Sequence, residues 1–519
     1  MVQLGVWDYA IIAGYLTGVV ALGLMFSGRQ TSTREYFLAG CNVPWWAVSV
    51  SMYATALSPI TFLGATGWIF AKDTRGMIGS MWGLPLVILQ IFLWVPLLSR
   101  LRMQSIFSYL EQRFHPAVRS VAAVMFLIQM VFWIGSGTVA AARAFEEATG
   151  IDPVFCLLAL IVLGTLYTML GGSRAVIWTD VAQYTVFLFA FIAIGCLLLH
   201  QYDWQPWRIY NIASSVISEE TGKPKTQLFS YELSLAIEAT IWVMVFGRII
   251  DAVMFGTAQV TVQRLMAVDT RRNMVKAIIG TSVISIVFMV LYVTISWGFV
   301  AFYHDNPALK EALDHPDKVM ADYTVRFVPM IARGVIMAGL MAAMMSSFDS
   351  ALNSMSSVMI NDYYRRYWFT NKTEQQYVAI SRMFTVIGGC ALLVFALWQL
   401  QNLDFTIAEQ LGKLNNLVMP ALPCFFVLGI LARRANTGGA LIGGLTSITF
   451  AIVFNGIPGV MDDPPLKGIN WMWVGGMGTV LGLTVGYVAS FAFAAPTPER
   501  LAGLTVYAKP QTTEPNEVA

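Results

Sequence analysis

Oxygen-bearing side chains crowd into one apolar stretch of this chain. The run GLMAAMMSSFDSALNSMSS places Ser346, Ser347, Asp349, Ser350, Asn353 and Ser354 within about two helical turns. Ser346 and Ser350 share a helical face, with Ala343 and Ser347 beside them. Several convergent oxygens are what a hard cation such as sodium requires. Small hydroxyl residues also pack helices closely and bond back to the carbonyl one turn earlier, which accounts for the serines. Packing accounts poorly for Asp349, because a charge at membrane depth costs roughly 2.5–3.5 kcal/mol on insertion scales.

Other chemistry-bearing residues lie in apolar surroundings. Pro59, in SVSMYATALSPITFLGATGWIF, lacks an amide hydrogen and strikes the carbonyl four residues back. Helix around Thr55 to Ser58 is therefore expected to open, freeing carbonyls that line a polar cavity or meet a cation, or else to kink. Asp180, in AVIWTDVAQ, stands near the end of its segment and either caps, snorkels or joins a polar site. Arg248 and Asp251 are three apart, and Glu409 and Lys413 four apart, spacings that allow ion pairs on one helix face. Intramembrane charges of this kind mark a polar pathway unless they merely pair. Cys41, Cys156, Cys196, Cys390 and Cys424 contain no CxxC, and the four histidines lack metal-ligand spacing. With no phosphate loop or nucleophile elbow, nothing supports an enzyme, a bound cofactor or any metal besides sodium.

The elements that hold these residues are membrane helices. Of 519 residues, 57% are apolar and 12% charged, against roughly 25% charged in a soluble domain. Such a chain needs lipid as its solvent, and a net charge of +2 implies no attraction to nucleic acid. Spans are expected over 7–26, 45–70, 77–98, 118–142, 153–170, 175–199, 235–260, 274–302, 330–359, 377–400, 405–431, 437–456 and 471–495, about thirteen in all. The first has Asp8 near its start and no cleavage site after it, so it reads as a span rather than a leader. Alternate loops carry Arg29 and Arg34; Arg100, Arg102, Arg113 and Arg119; Arg174; Arg264, Arg271, Arg272 and Lys276; Arg365, Arg366 and Lys372; and Arg433 and Arg434. The opposite loops are acidic or mixed, which puts the N-terminus outside and the C-terminus inside a cell membrane. Outer loops 200–232 and 303–326 are long enough for short surface helices, and 496–519 reads as a disordered cytoplasmic tail.

Six stretches, in order, resemble the solute:sodium symporter family: STREYFLAG (32–40), SIFSYLEQRF (105–114), GGSRAVIWTDVAQ (171–183), VQR (262–264), SSFDSALNS (346–354) and GILARRANTGGALIGG (429–444). The family contains sodium-coupled sugar, proline, sialic acid, vitamin, monocarboxylate and iodide carriers. The resemblance runs from about residue 5 to 495 and implies an all-α, LeuT-like fold of two inverted five-helix repeats, 45–199 and 235–431. Residues 7–26 and 437–495 are then extra helices of one transmembrane domain, 1–495. The first helix of each repeat is expected to be discontinuous.

By the same resemblance, the main sodium site falls on Ala54, Leu57, Ala343, Ser346 and Ser347. A second sodium site, present in some members, falls on Asp180, Ser346, Asp349 and Ser350. Asp349 replaces a hydroxyl residue there, so it strengthens that site, shifts it towards a proton, or pairs elsewhere. Substrate positions fall on Ala56, Ser58, Thr61, Ser80, Asp251, Phe255 and Lys413, with Gly412 where sugar carriers have a glutamine. No lysine stands in GTSVISIVFMV, so a standard hexose site is not expected. The implied activity is sodium-coupled symport of a small polar organic solute by alternating access. Proton-coupled symport on the same fold, or a transporter-like solute sensor, are the other readings.

Overall fold

The computed structural model describes residues 4–28, 30–57, 64–313, 315–402, 413–415, 417–457, 461 and 464–507, the side chains of 147, 148 and 402 excepted. The first helices are α1 (Val6–Leu24), α2 (Thr33–Leu38), α3 (Trp45–Ala56) and α4 (Ala65–Ala71). A 3-10 segment, Thr74–Trp82, leads into α5 (Gly83–Leu101), followed by α6 (Phe107–Arg113), α7 (Pro116–Thr149) and α8 (Pro153–Gln201). Next come α9 (Pro206–Ser215), α10 (Ile241–Met254), α11 (Gln259–Met266) and α12 (Arg271–Asp305). Then come α13 (Pro307–Glu311), α14 (Val319–Phe327), α15 (Ala332–Val358), α16 (Glu374–Asn402), α17 (Ala421–Leu431), α18 (Thr437–Asn455) and α19 (Trp471–Ala489). Among the described residues, nine helices are long and apolar enough to cross a membrane, ten if α10 and α11 form one broken span.

Local chemistry sets where these helices begin. Ser32, Thr240, Thr270, Asn436 and Asn470 each accept a hydrogen bond from a first-turn amide, while Pro116, Pro153 and Pro206 stand where the amide hydrogen has no helical partner. The cap at Thr240 starts α10 at Ile241, six residues after the expected start of that span. The N-terminus of α15 is capped from elsewhere. Asp8 of α1 accepts from the amides of Ile331 (3.2 Å) and Gly334 (3.1 Å) and from Arg333 Nε (3.0 Å) and Nη2 (2.8 Å). Ile331 itself has φ +80, a conformation costly for a β-branched residue, and Asp8 helps to hold it.

Three breaks shape the interior. Helix α3 keeps Thr55 and Ala56 helical and ends at Leu57 (ψ 114), within the stretch Thr55 to Ser58 where the proline argument placed the opening. Pro59, Ser58 and Thr61 lie outside the described residues. Helices α10 and α11 meet at a 55° bend, so the stretch expected as one span over 235–260 is broken. Helix α8 has 49 residues, which would be about 73 Å if straight against about 30 Å of hydrocarbon. It folds at Gly172 (φ +61, ψ −166), and Gln183 Nε2 reaches Tyr167 Oη at 3.4 Å across the joint. A Cβ on Gly172 would stand 2.7 Å from the Tyr36 carbonyl oxygen, so only glycine fits both the φ and the space. The two arms correspond to the spans expected at 153–170 and 175–199.

Helix α15 forms the centre, buried almost throughout and packed by α8, α1, α3, α7 and α16. Two expectations fail here. Residues 496–507 are not a loose tail: Tyr109 Oη donates to the Leu504 carbonyl (2.9 Å), Arg500 Nη1 to the Phe114 carbonyl (2.5 Å), and the Val506 amide to the Ile430 carbonyl (3.1 Å). Leu504 is an apolar residue with a place to bury, which composition did not reveal. Residues 508–519 lie outside the described residues. Three of the arginines counted as loop charges are structural. Arg113 is fully buried on the carbonyls of Gly429 and Ala432, Arg119 pairs with Asp362 and Glu111, and Arg264 lies inside α11.

Candidate functional site

Ending α3 at Leu57 deprives its last carbonyls of the amides that a continuing helix would supply. The Leu57 amide serves Tyr53 and Ala54, and the serine row of α15 meets the rest. Ser346 Oγ donates to the carbonyl oxygens of Ala54 (3.0 Å) and Ala343 (3.2 Å). Ser347 Oγ donates to those of Thr55 (2.9 Å), Leu57 (3.1 Å) and Ala343 (3.4 Å). All five residues expected at the main sodium site therefore converge, and the Thr55 carbonyl joins them. Both serines are buried. Six oxygens linked in this way, none carrying formal charge, are of the type that suits a monovalent hard cation.

One turn further along α15 the charges gather. Asp180 Oδ2 accepts from Ser51 Oγ (2.5 Å) and Arg264 Nη2 (2.9 Å), while Arg264 Nε donates to Ser51 Oγ (2.7 Å). Arg264 Nη2 also donates to Ser350 Oγ, which shares a hydrogen bond with Thr55 Oγ1 (2.9 Å). Asp349 Oδ2 accepts from Tyr167 Oη (2.9 Å) and Thr179 Oγ1 (3.4 Å), and its Oδ1 faces Ser350 Oγ (3.3 Å). Asp180 thus neither caps nor snorkels; it is wholly buried in an ion pair. Two carboxylates and one guanidinium leave this cluster with one negative charge in excess when all are ionised. The buried Oδ1 of Asp180 has no hydrogen-bond partner among the described residues.

Sequence reasoning missed the parts played by Arg264 and Gln263. Gln263 Nε2 donates to the Phe37 carbonyl (2.7 Å) and Asn353 Oδ1 (2.5 Å), and its Oε1 accepts from Ser354 (3.1 Å). The available signal was that two consecutive polar residues, both able to donate, stand on the short arm of a broken helix.

The expected solute positions are less tightly gathered. Ala56 is exposed at the end of α3, and Ser80 is partly exposed in the 3-10 segment. Asp251 pairs with Arg248 at 3.2 Å, and both stay open, at 51% and 39% side-chain exposure. Phe255 stands partly buried at the end of α10. Lys413 is partly buried where description resumes, while Ser58, Thr61, Glu409 and Gly412 lie outside the described residues.

Known proteins share this plan. The sodium:solute symporter family matches residues 36–447. The sodium/sialic acid symporter SiaT of Proteus mirabilis (strain HI4320) is 28% identical over 445 residues, covering 86% of this chain and 88% of that protein. The sodium/sialic acid symporter NanT of Aliivibrio fischeri (strain ATCC 700601 / ES114) is 27% identical over 490 residues, covering 94% of each. A solved structure of a sodium-coupled sialic acid symporter, substrate-bound and outward-open, superposes with a TM-score of 0.84 at 26% identity, covering 95% of this chain and 99% of that one. With the matched span enclosing all three breaks and the serine row, the chain belongs to the sodium:solute symporter family and is a multi-pass membrane protein that performs sodium-coupled symport.

Proposed function

We propose that the coupling sodium binds among Ala54, Leu57, Ala343, Ser346 and Ser347, and that a small polar organic solute is carried in the cavity beside the α3 break. The observation that carries this reading is the meeting of the Ser346 and Ser347 hydroxyls with carbonyls left free where α3 ends. A cation there turns the hydroxyl lone pairs inward and ties α3 to α15. Binding then fixes the end of α3 at the solute position Ala56, and Ser58 and Thr61 are the solute candidates that follow it in the sequence. Solute and sodium strengthen one another's binding by the same factor, since linkage is reciprocal.

A second cation is taken by the Asp180, Ser346, Asp349 and Ser350 cluster, whose excess negative charge and unpartnered Asp180 Oδ1 support it. Ser80, Asp251, Phe255 and Lys413 complete the solute candidates. The nine apolar helices, the α10–α11 pair, the second arm of α8, the α3–α4 pair and the 413–431 segment support about thirteen spans in one domain. The paired breaks support two inverted repeats with α1, α18 and α19 outside them. Arg271, Arg272 and Lys276, in the first turns of α12, support an inner side there without Arg264, and the N-terminus is then outside. Uptake into proteoliposomes, with sialic acid among the tested solutes because the relatives are named for it, tests the reading. A solute gradient built by inward sodium supports it; accumulation that ignores sodium sinks it.

A further inference from the structure

Arg100 stands in the last turn of α5, and Arg271 opens α12. Both are exposed, and among the described residues neither makes a hydrogen bond or an ion pair. Arg102 Nη2 ties the two helix ends together by donating to the Asp269 carbonyl (2.6 Å), and Arg100 and Arg271 line one cavity of about 200 Å³. One water needs roughly 10–15 Å³ of such space, so there is room for a larger guest. Among the described residues no carboxylate lines it. The adjacent Asp269 carboxylate is occupied by the Thr270 amide and Asn273 Nδ2, both at 2.7 Å. Arg271 also sits at the positive end of the α12 dipole, where a cation is disfavoured and an anion is favoured.

One wall of the cavity is the docked segment after α19, fastened there by the Val506 amide on the Ile430 carbonyl (3.1 Å). Its Thr505 is 6% exposed, lines the cavity, and has no side-chain hydrogen-bond partner among the described residues. A buried hydroxyl left free beside two free guanidinium groups calls for an acceptor-rich guest. The other side of the cavity continues into lipid. Arg100, Pro96, Phe92 and Ile88 follow at four-residue steps, a ridge that slants round α5 towards the middle of the membrane. Phe92 and Ile88 are 62% and 76% exposed, and Phe92 and Pro96 line the cavity itself. At 1.5 Å per residue Ile88 lies about 18 Å along from Arg100, against roughly 15 Å for half of a hydrocarbon core. A soluble anion has no use for such a ridge, whereas an acyl chain does.

We infer that this cavity holds the headgroup of an anionic phospholipid. Arg100 and Arg271 take the phosphate oxygens, Thr505 donates to a headgroup oxygen, and an acyl chain lies along Phe92 and Ile88. Two cations without a carboxylate suit a headgroup of net negative charge and repel the ammonium of a zwitterionic one. The bound lipid fastens the 500–507 segment to α5 and α12. In the orientation proposed above this end lies at the inner leaflet, although binding itself does not depend on that sidedness.

The test is the thermal unfolding midpoint of the full chain in neutral detergent micelles at fixed ionic strength. Phosphatidylglycerol is titrated in, with phosphatidylcholine and glycerol 3-phosphate as parallel probes. Phosphatidylglycerol should raise the midpoint, while phosphatidylcholine at the same mole fraction should not. Arg100→Gln and Arg271→Gln should each move the titration to about 10- to 150-fold more lipid, the loss of one hydrogen bond to a charged group. Thr505→Val, which keeps the side chain's shape, should weaken binding as well. Arg272→Gln, next to the site but not lining it, should titrate as the parent does. A phosphatidylglycerol response that survives the Arg100→Gln, Arg271→Gln double variant overturns the site. So does an equal response to phosphatidylcholine, or an equal loss in Arg272→Gln, which is plain surface attraction. Stabilisation by glycerol 3-phosphate as strong as by phosphatidylglycerol makes the guest a soluble phosphate and overturns the lipid.

Discussion

Replacing Ser347 with alanine removes the one side-chain oxygen that touches three carbonyls at once, those of Thr55, Leu57 and Ala343. In the sodium-free state those buried carbonyls lose a donor, costing roughly 1–3 kcal/mol of stability. In the sodium-bound state the ion loses a ligand. By analogy with a hydrogen bond to a charged group, that loss is roughly 1.5–3 kcal/mol, or about 10- to 150-fold in sodium affinity. The two effects separate in one experiment. Sodium titration of the unfolding midpoint follows the logarithm of ion concentration over dissociation constant, so the whole curve moves to higher sodium in the variant. Ser347→Thr retains the hydroxyl and should titrate near the parent. Ser346→Ala, which loses contacts to Ala54 and Ala343, should move the same way. An unchanged sodium titration in both alanine variants, at normal membrane abundance, refutes the sodium site.

Asp349→Asn removes the excess negative charge beside Ser350 and should lower the ion-to-solute ratio measured by dual-isotope uptake; an unaltered ratio makes that carboxylate structural. Asp180→Asn leaves Arg264 buried without its partner, so it should also destabilise by roughly 3–5 kcal/mol, read as lost thermal stability relative to Asp349→Asn. Asp8→Asn takes the charge from Arg333 and weakens the cap of α15; a comparable loss of stability is expected, and normal stability would show that the cap is dispensable. Lys225, between α9 and α10, donates to the carbonyls of Phe70 (2.6 Å) and Ala71 (2.5 Å), and burial pulls its ammonium down from 10.5 to about 8. Between about pH 8 and 10.5 the unfolded chain then holds a proton that the folded protein has released, so Lys225 contributes increasing stability as pH rises. Lys225→Met should erase that contribution, and a parent-minus-variant difference that falls with pH would reverse the reasoning.

The sequence alone determined that the chain folds as membrane helices, because lipid leaves no other way to satisfy the backbone, and among the described residues nine helices, ten with the α10–α11 pair, are long and apolar enough to cross. It also offered oxygens that a cation can use. The serine row is a local feature, and its residue types already state what they can bind, whereas its meeting with the carbonyls at the end of α3 is tertiary. What the tertiary structure decided was pairing. Asp180 meets Arg264 across 84 residues and Asp8 meets Arg333 across 325, separations at which no local spacing rule operates. The same holds for accessibility. A carboxylate three residues from an arginine reads equally as a closed pair or an open site, and only the surrounding helices decide that Asp251 both pairs with Arg248 and stays accessible. Residues 496–507 look polar and loose until α6 and α17 supply the donors and carbonyls they dock on. Residue types and periods are written along the chain, whereas burial and charge compensation depend on which distant segments arrive at the same place.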